Sequence, residues 1–210
     1  MLKPAVGIGC FAAGTLLMIA FYWNELLLTG LMLCAAMICL AIDDWKNLKL
    51  FVVATLVGGL CENITVMMGA WGYANTNYIF APLWVPIGWG MAMVIFEEAF
   101  TKDAHAPRFS KRAILAAFSG AFLTGVFAPV EVFMALCFAI ATAVFFALGF
   151  YRMDELRAGI LAGVFGAGME VTCILAGNWH YPFAITAVIP LWLPFAWFNA
   201  FLIMRRITKI

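Results

Sequence analysis

One stretch of this chain occurs twice. Residues 62–89 read ENITVMMGAWGYANTNYIFAPLWVPIGW and residues 170–197 read EVTCILAGNWHYPFAITAVIPLWLPFAW, and a constant offset of 108 residues superposes them without a gap. The offset pairs Glu62 with Glu170, Gly69 with Gly177, Trp71 with Trp179 and Tyr73 with Tyr181. Farther along it pairs Pro82, Leu83, Trp84, Pro86 and Trp89 with Pro190, Leu191, Trp192, Pro194 and Trp197. An apolar composition seldom repeats tryptophans and prolines in register by accident. The chain reads as a tandem duplication, so its fold must be built from two like halves.

Composition decides the solvent. Of the 210 residues, 66% are hydrophobic and 11% are charged, more apolar surface than a soluble fold of this size can hide. The chain reads as an integral membrane protein. A net charge of +1 argues against nucleic acid as a partner. The six cysteines form no CxxC pair and read as small core residues. His105 and His180 are the only histidines, too few for a haem or zinc site, so no metal and no cofactor are expected.

A span needs about 20 mostly apolar residues. Breaks in the apolar pattern give eight, near 4–22, 25–42, 48–68, 81–98, 112–128, 131–149, 157–176 and 188–205. Pro82 and Pro190 suit the first turn of a helix. With the N-terminus in the cytoplasm, all 12 Lys and Arg fall on the cytoplasmic side, as the positive-inside rule asks. Eight spans then place both termini inside, in a bacterial inner membrane. The expected fold is all-α, with two tandem four-helix repeats (1–100 and 113–210) joined by a cytoplasmic linker, TKDAHAPRFSKR (101–112). An even number of spans per repeat predicts a pseudo-two-fold axis along the membrane normal.

On the other face, 69–80 and 177–189 carry no Lys or Arg and are rich in aromatics. They are expected to be interfacial or re-entrant segments folded over the bundle. Trp23, Trp84 and Trp192 suit an aromatic belt. Trp71, Trp89, Trp179 and Trp197 are expected to face inward.

Most of the 11 carboxylates have plain roles. Asp43, Asp44, Asp103, Asp154 and Glu155 sit among Lys and Arg and read as solvated loop charges, while Glu97 and Glu98 read as interfacial. Glu25 and Glu131 open two helices, where the macrodipole favours an acid. Glu62 and Glu170 differ. Each lies about 14 residues, or roughly 20 Å, into its helix, where burying a charge costs about 2.5–3.5 kcal/mol. The alternatives are a structural hydrogen bond between helices and a functional site, and intramembrane acids favour the second. Gly58 and Gly166, one turn earlier, leave room for a neighbouring helix or a ligand. If the pseudo-two-fold axis brings the two acids together, one is expected to stay protonated beside the other. Asn63 against Val171, and Gly72 against His180, would make that shared site asymmetric.

The pattern E…G-x-W-G-Y…P-L-W-V-P…W resembles the repeat region of membrane carotenoid cyclases and the related bisanhydrobacterioruberin hydratases. The P-x-E-E motif of the lycopene cyclases is absent. A looser likeness in chemistry is to membrane terpene cyclases and the emopamil-binding sterol isomerase. The resemblance implies a redox-neutral enzyme that cyclises, hydrates or isomerises a polyisoprenoid or similar lipid drawn from the bilayer. Glu62 and Glu170 would be its catalytic acid and base. Trp71, Tyr73, Trp89, Trp179, Tyr181 and Trp197 would bind substrate and stabilise a cation through their rings. Two other readings stay open: a proton-coupled transporter with parallel repeats, and a lipid- or pigment-binding membrane protein without catalysis. Oligomeric state is not readable from the residues.

Overall fold

The computed structural model describes residues 4–42, 45–74, 81–101, 110–186 and 188–208. Most of the 101–112 linker lies outside them, with His105, Lys3, Asp43, Asp44, Lys102, Asp103, Arg108 and Lys209. Eight α-helices are present: α1 (Pro4–Phe21), α2 (Glu25–Ile42), α3 (Leu48–Met67), α4 (Trp84–Phe100), α5 (Lys111–Phe127), α6 (Glu131–Ala147), α7 (Leu156–Leu175) and α8 (Leu193–Thr208). Three helical stretches, Glu25–Ile42, Leu48–Met67 and Met153–Leu175, are long and apolar enough to cross a membrane. The chain is an integral membrane protein.

Two helices form the centre. Buried residues run unbroken from Gly90 to Glu97 in α4 and from Phe201 to Thr208 in α8, and a helix covered on every side is a core helix. The outer helices instead expose large apolar side chains, such as Leu26 and Ile38 on α2 and Leu136 and Ile140 on α6. Water would oppose that surface, and lipid accepts it.

Glycine ends α3 and α7 in the same way. Gly69 and Gly177 adopt φ of +78° and +83°, a left-handed conformation that glycine alone enters without strain. Their N–H groups donate to Val66 O and Ile174 O, and those of Ala70 and Asn178 donate to Thr65 O and Cys173 O. This is a Schellman closure at both ends. The chain then enters two short strands, β1 (Gly72–Tyr73) and β2 (Trp179–His180), which pair antiparallel with Gly72 opposite His180 and Tyr73 opposite Trp179. Residues expected as interfacial loops thus form one ribbon that ties the halves together.

Pro82 and Pro190 fall just ahead of α4 and α8 rather than inside their first turns. Glu25 and Glu131 do not act on their own helices alone. Glu25 accepts a hydrogen bond from Leu83 N at 2.7 Å. Glu131 accepts from Ile185 N at 2.5 Å and from Leu191 N. Each carboxylate therefore satisfies backbone donors leading into α4 or α8, which lack helical partners of their own.

At the far end, two expectations change. Glu155 is fully buried and Glu97 nearly so, with Arg205 and Arg206 buried beside them. Arg205 donates through Nε to Glu97 at 2.6 Å and through Nη1 to Glu155 at 2.6 Å. Arg206 pairs with the second oxygen of Glu155, donates to Phe150 O at 2.6 Å and lies 4.9 Å from the Tyr151 ring centre. Buried ions are tolerated only when paired and fully bonded, and this network meets that condition. Glu155 is not a solvated loop charge. Trp84 and Trp192 are likewise buried rather than part of a belt, whereas Trp23 is 61% exposed.

Helix contacts depend on absent side chains. A Cβ on Gly58 would lie 2.7 Å from Trp89, and one on Gly166 would lie 2.3 Å from Trp197. Gly90 makes room for Phe51 on α3, while at the corresponding places 108 residues later Gly159 on α7 makes room for Phe198 on α8. The large and small partners have changed places. Gly168, two residues from Gly166, faces open space, so it is an internal control. Gly166→Ala is expected to destabilise by about 1–3 kcal/mol through overpacking, and Gly168→Ala to be neutral or stabilising by about 0.5–1 kcal/mol. Thermal unfolding of both variants in detergent checks the contrast.

Candidate functional site

The site is assembled on α3 and α7 by the two intramembrane acids. Glu62 is 6% exposed and Glu170 is 9% exposed. Three donors converge on each. Glu62 accepts from Trp71 Nε1 at 2.6 Å, Tyr73 OH at 2.5 Å and Trp89 Nε1 at 3.0 Å. Glu170 accepts from Trp179 Nε1 at 2.9 Å, Tyr181 OH at 2.8 Å and Trp197 Nε1 at 3.1 Å. Every donor to Glu170 stands 108 residues after its counterpart on Glu62. Each carboxyl group thus joins a helix, the following strand segment and the next helix in its own half.

The aromatic rings close the space between the two cages. Trp89 stacks on Trp197 with centroids 4.7 Å apart. Trp71 packs on Tyr181 at 5.4 Å, and Tyr73 packs on Trp179 at 5.6 Å. The eight expected site residues are therefore brought together. Among the described residues no hydrogen bond joins Glu62 to Glu170, although both border the same two cavities.

The first cavity, ≈ 640 Å³ of empty space counting its mouth, lies among α1, α2, α4 and α7. The second, ≈ 780 Å³ on the same measure, lies among α3, α5, α6 and α8. Their walls correspond. Cys10, Phe11, Gly14, Thr15 and Met18 line the first, and Ala116, Ala117, Gly120, Ala121 and Thr124, each 106 residues later, line the second. On the central helices Trp84, Val85 and Trp89 face the first, and Trp192, Leu193 and Trp197, 108 residues later, face the second.

The cavities differ where sequence reading did not look. Met18, Met32, Met91 and Met169 line the first, and the corresponding places in the second hold Thr124, Phe138, Asn199 and Cys61. The differences singled out from sequence lie elsewhere. Asn63 accepts from Ala81 N at 3.0 Å, and His180 is exposed beside Gly72. Neither touches a carboxylate, so they do not give the two acids separate roles. Trp192 contributes a further feature. It is 2% exposed, and its indole N–H has no partner among the described residues. Such an orphan donor costs about 1–3 kcal/mol. Its signal in the sequence was its recurrence at Trp84, which was assigned to depth in the membrane instead.

No family model matches the chain, and neither does any curated protein. Two crystal structures match its fold. One is a mycobacterial Insig homologue, MvINS from Mycobacterium vanbaalenii, at 20% identity and a TM-score of 0.58, covering 76% of this chain and 89% of that one. The other is a cross-linked trimer of a cysteine variant of MvINS, at 21% identity with the same TM-score and coverage. The likeness is one of fold.

This finding corrects the resemblance to carotenoid cyclases and hydratases. The fold is shared with an Insig homologue, and the residues that carried the resemblance bond to one another. A Glu, two indole N–H groups and a phenol at this spacing are what a closed cage requires. The expected cyclisation, hydration or isomerisation of a polyisoprenoid, and the alternative of proton-coupled transport, fall with it.

The cage yields two predictions. Replacing a carboxylate by an amide turns one acceptor into a donor facing indole N–H groups. Glu62→Gln and Glu170→Gln are each expected to lower stability by about 1–3 kcal/mol, and by similar amounts, as measured by unfolding in detergent. Tyr73→Phe, which removes one donor, is expected to have the smaller effect. Burial, helped by the neighbouring carboxylates, also pushes the phenols of Tyr73 and Tyr181 well above their usual range. A group whose folded pKa is raised contributes stability that is complete below its unfolded value, about 10, and is lost as pH rises towards the folded one. Alkaline titration followed by tyrosinate absorbance should show these two phenols ionising only as the fold gives way. Tyr73→Phe and Tyr181→Phe should each shrink that late step.

Proposed function

We propose that the chain is a membrane protein that binds a neutral lipid inside its helical body. The observation that carries this reading is the pair of cavities. Their size suits a small ligand or the buried part of a larger one. Their walls are mostly apolar and aromatic, and the Glu, Trp and Tyr groups of the cages bordering them already hold one another. A hydrophilic solute would find few free partners there, whereas a hydrocarbon chain, isoprenoid or acyl, needs none. The shared fold with an Insig homologue supports a role other than the cyclase chemistry first expected. On this reading Glu62 and Glu170 are the fixed centres of the cavity walls, and Trp71, Tyr73, Trp89, Trp179, Tyr181 and Trp197 are the surfaces a lipid meets.

The same proposal includes eight spans in two four-helix repeats, related by a pseudo-two-fold axis along the membrane normal. The matching cages, helix ends and cavity walls support it. The distribution of Lys and Arg supports cytoplasmic termini in a bacterial inner membrane.

The test is mass spectrometry of lipids extracted from the detergent-purified protein, followed by adding back the species found. A neutral lipid is expected to co-purify and to raise thermal stability. A ligand at 100 times its dissociation constant stabilises by about 2.7 kcal/mol. A chain that purifies free of lipid, and that no neutral lipid stabilises, would sink the reading.

A further inference from the structure

Resting on that lipid-binding reading, we propose that the chain carries two lipid sites. The second, among α3, α5, α6 and α8, selects a lipid bearing an acceptor oxygen, which takes the free indole N–H of Trp192.

Two observations support a pair of sites. The first is correspondence: each wall residue of one cavity supplied by its outer helix has a counterpart at the same relative place in the other. A single ligand pocket shared by two halves would lie on the line that relates them. Here instead the Trp89–Trp197 stack occupies that middle position and contributes to both walls. The second observation is room on both sides. Gly14 and Gly120 are 106 residues apart and sit on corresponding walls, and a Cβ at either position meets nothing within 4 Å.

The walls then differ in chemistry. Four methionines give the first cavity a soft, adaptable surface suited to plain hydrocarbon. In the second, Asn199 donates to Thr142 Oγ1 at 2.8 Å and to Phe195 O at 2.8 Å, and accepts from Tyr151 OH at 3.0 Å. Thr124 donates to Gly120 O at 2.8 Å. Those groups are engaged. Trp192 is the buried donor in that wall with its N–H unpaired among the described residues. Indole is a donor only, so its complement is an acceptor oxygen. In an apolar cavity that means an ester, ketone or hydroxyl oxygen on an otherwise hydrocarbon molecule. An anionic headgroup is disfavoured there, since the second cavity's described lining includes no Lys or Arg and is bordered by both Glu62 and Glu170.

The experiment counts bound molecules by native mass spectrometry on the detergent-solubilised full chain. It uses two probes of matched length, methyl oleate and cis-9-octadecene. The wild type is expected to take up two molecules of methyl oleate per chain. Gly14→Leu should fill the first cavity and Gly120→Leu the second, each removing one binding event. Thr15→Leu and Ala121→Leu, on the same two walls, serve if a glycine variant does not fold. In the Gly14→Leu background, Trp192→Phe should weaken methyl oleate roughly fivefold, the loss of one neutral hydrogen bond, and leave cis-9-octadecene unchanged. Saturation at one molecule, blocked alike by both leucine variants, would overturn the two-site proposal while leaving lipid binding intact. Equal weakening of both probes by Trp192→Phe would overturn the acceptor role. Binding of neither probe, together with lipid-free purification, would remove the reading on which the proposal rests.

Discussion

The structure depends on one interaction made twice: a buried carboxyl group closed by two indole N–H groups and a phenol. A carboxylate inside an apolar body is expensive unless its acceptors are filled. Filling them from Trp71, Tyr73 and Trp89, or from Trp179, Tyr181 and Trp197, fixes three successive pieces of chain relative to each other. The third helix of each half is thereby tied to the ribbon that follows it and to the central helix beyond. The glycines at 58 and 166 belong to the same device, because the donor ring could not reach its acid if a side chain stood there.

Around the two cages the halves have drifted in complementary ways. A phenylalanine and a glycine have traded helices, keeping the volume of the contact while reversing its parts. At the cytoplasmic end by sequence, Glu97 and Glu98 correspond to Arg205 and Arg206, and Asn47 to Glu155. Glu97 bonds Arg205 directly, while Asn47 donates to Glu98 at 2.6 Å where Arg206 meets Glu155. Packing volume and charge are held constant even where residue type is not. The cavity walls have diverged more freely, which is expected of surfaces that need only remain apolar.

Much of the helix plan was legible because apolar runs in this chain are long and are interrupted by Gly, Pro and charge. The expected stretches 25–42 and 48–68 and the helices at Glu25–Ile42 and Leu48–Met67 agree to within a residue. The cage residues were legible too, as the strongest repeated letters. Their use was not. A tryptophan opposite a glutamate has the same appearance in sequence whether its N–H faces that acid or its ring faces a ligand, and the resemblance to cyclases followed the second possibility. Glu155 was misread because neighbouring Lys and Arg suggest water, although two arginines fifty residues away claim it. Carrying the 108-residue offset on to the last helix, where it sets acids against bases, was the signal for that network. The equivalence of α1 with α5 was harder to see, since it needs an offset of 106.

The antiparallel ribbon has a historical consequence. Gly72 against His180 and Tyr73 against Trp179 are corresponding positions meeting each other's counterparts, as is the Trp89–Trp197 stack. Such contacts are self-complementary, so an ancestral half-length chain with them could have closed on a second copy of itself as a two-fold dimer. The present halves no longer can. Two copies of the first would set Glu97 against Glu97, and two of the second would set Arg205 against Arg205, each without the opposite charge that now neutralises it. The fusion has become irreversible through a single exchanged pair of charges.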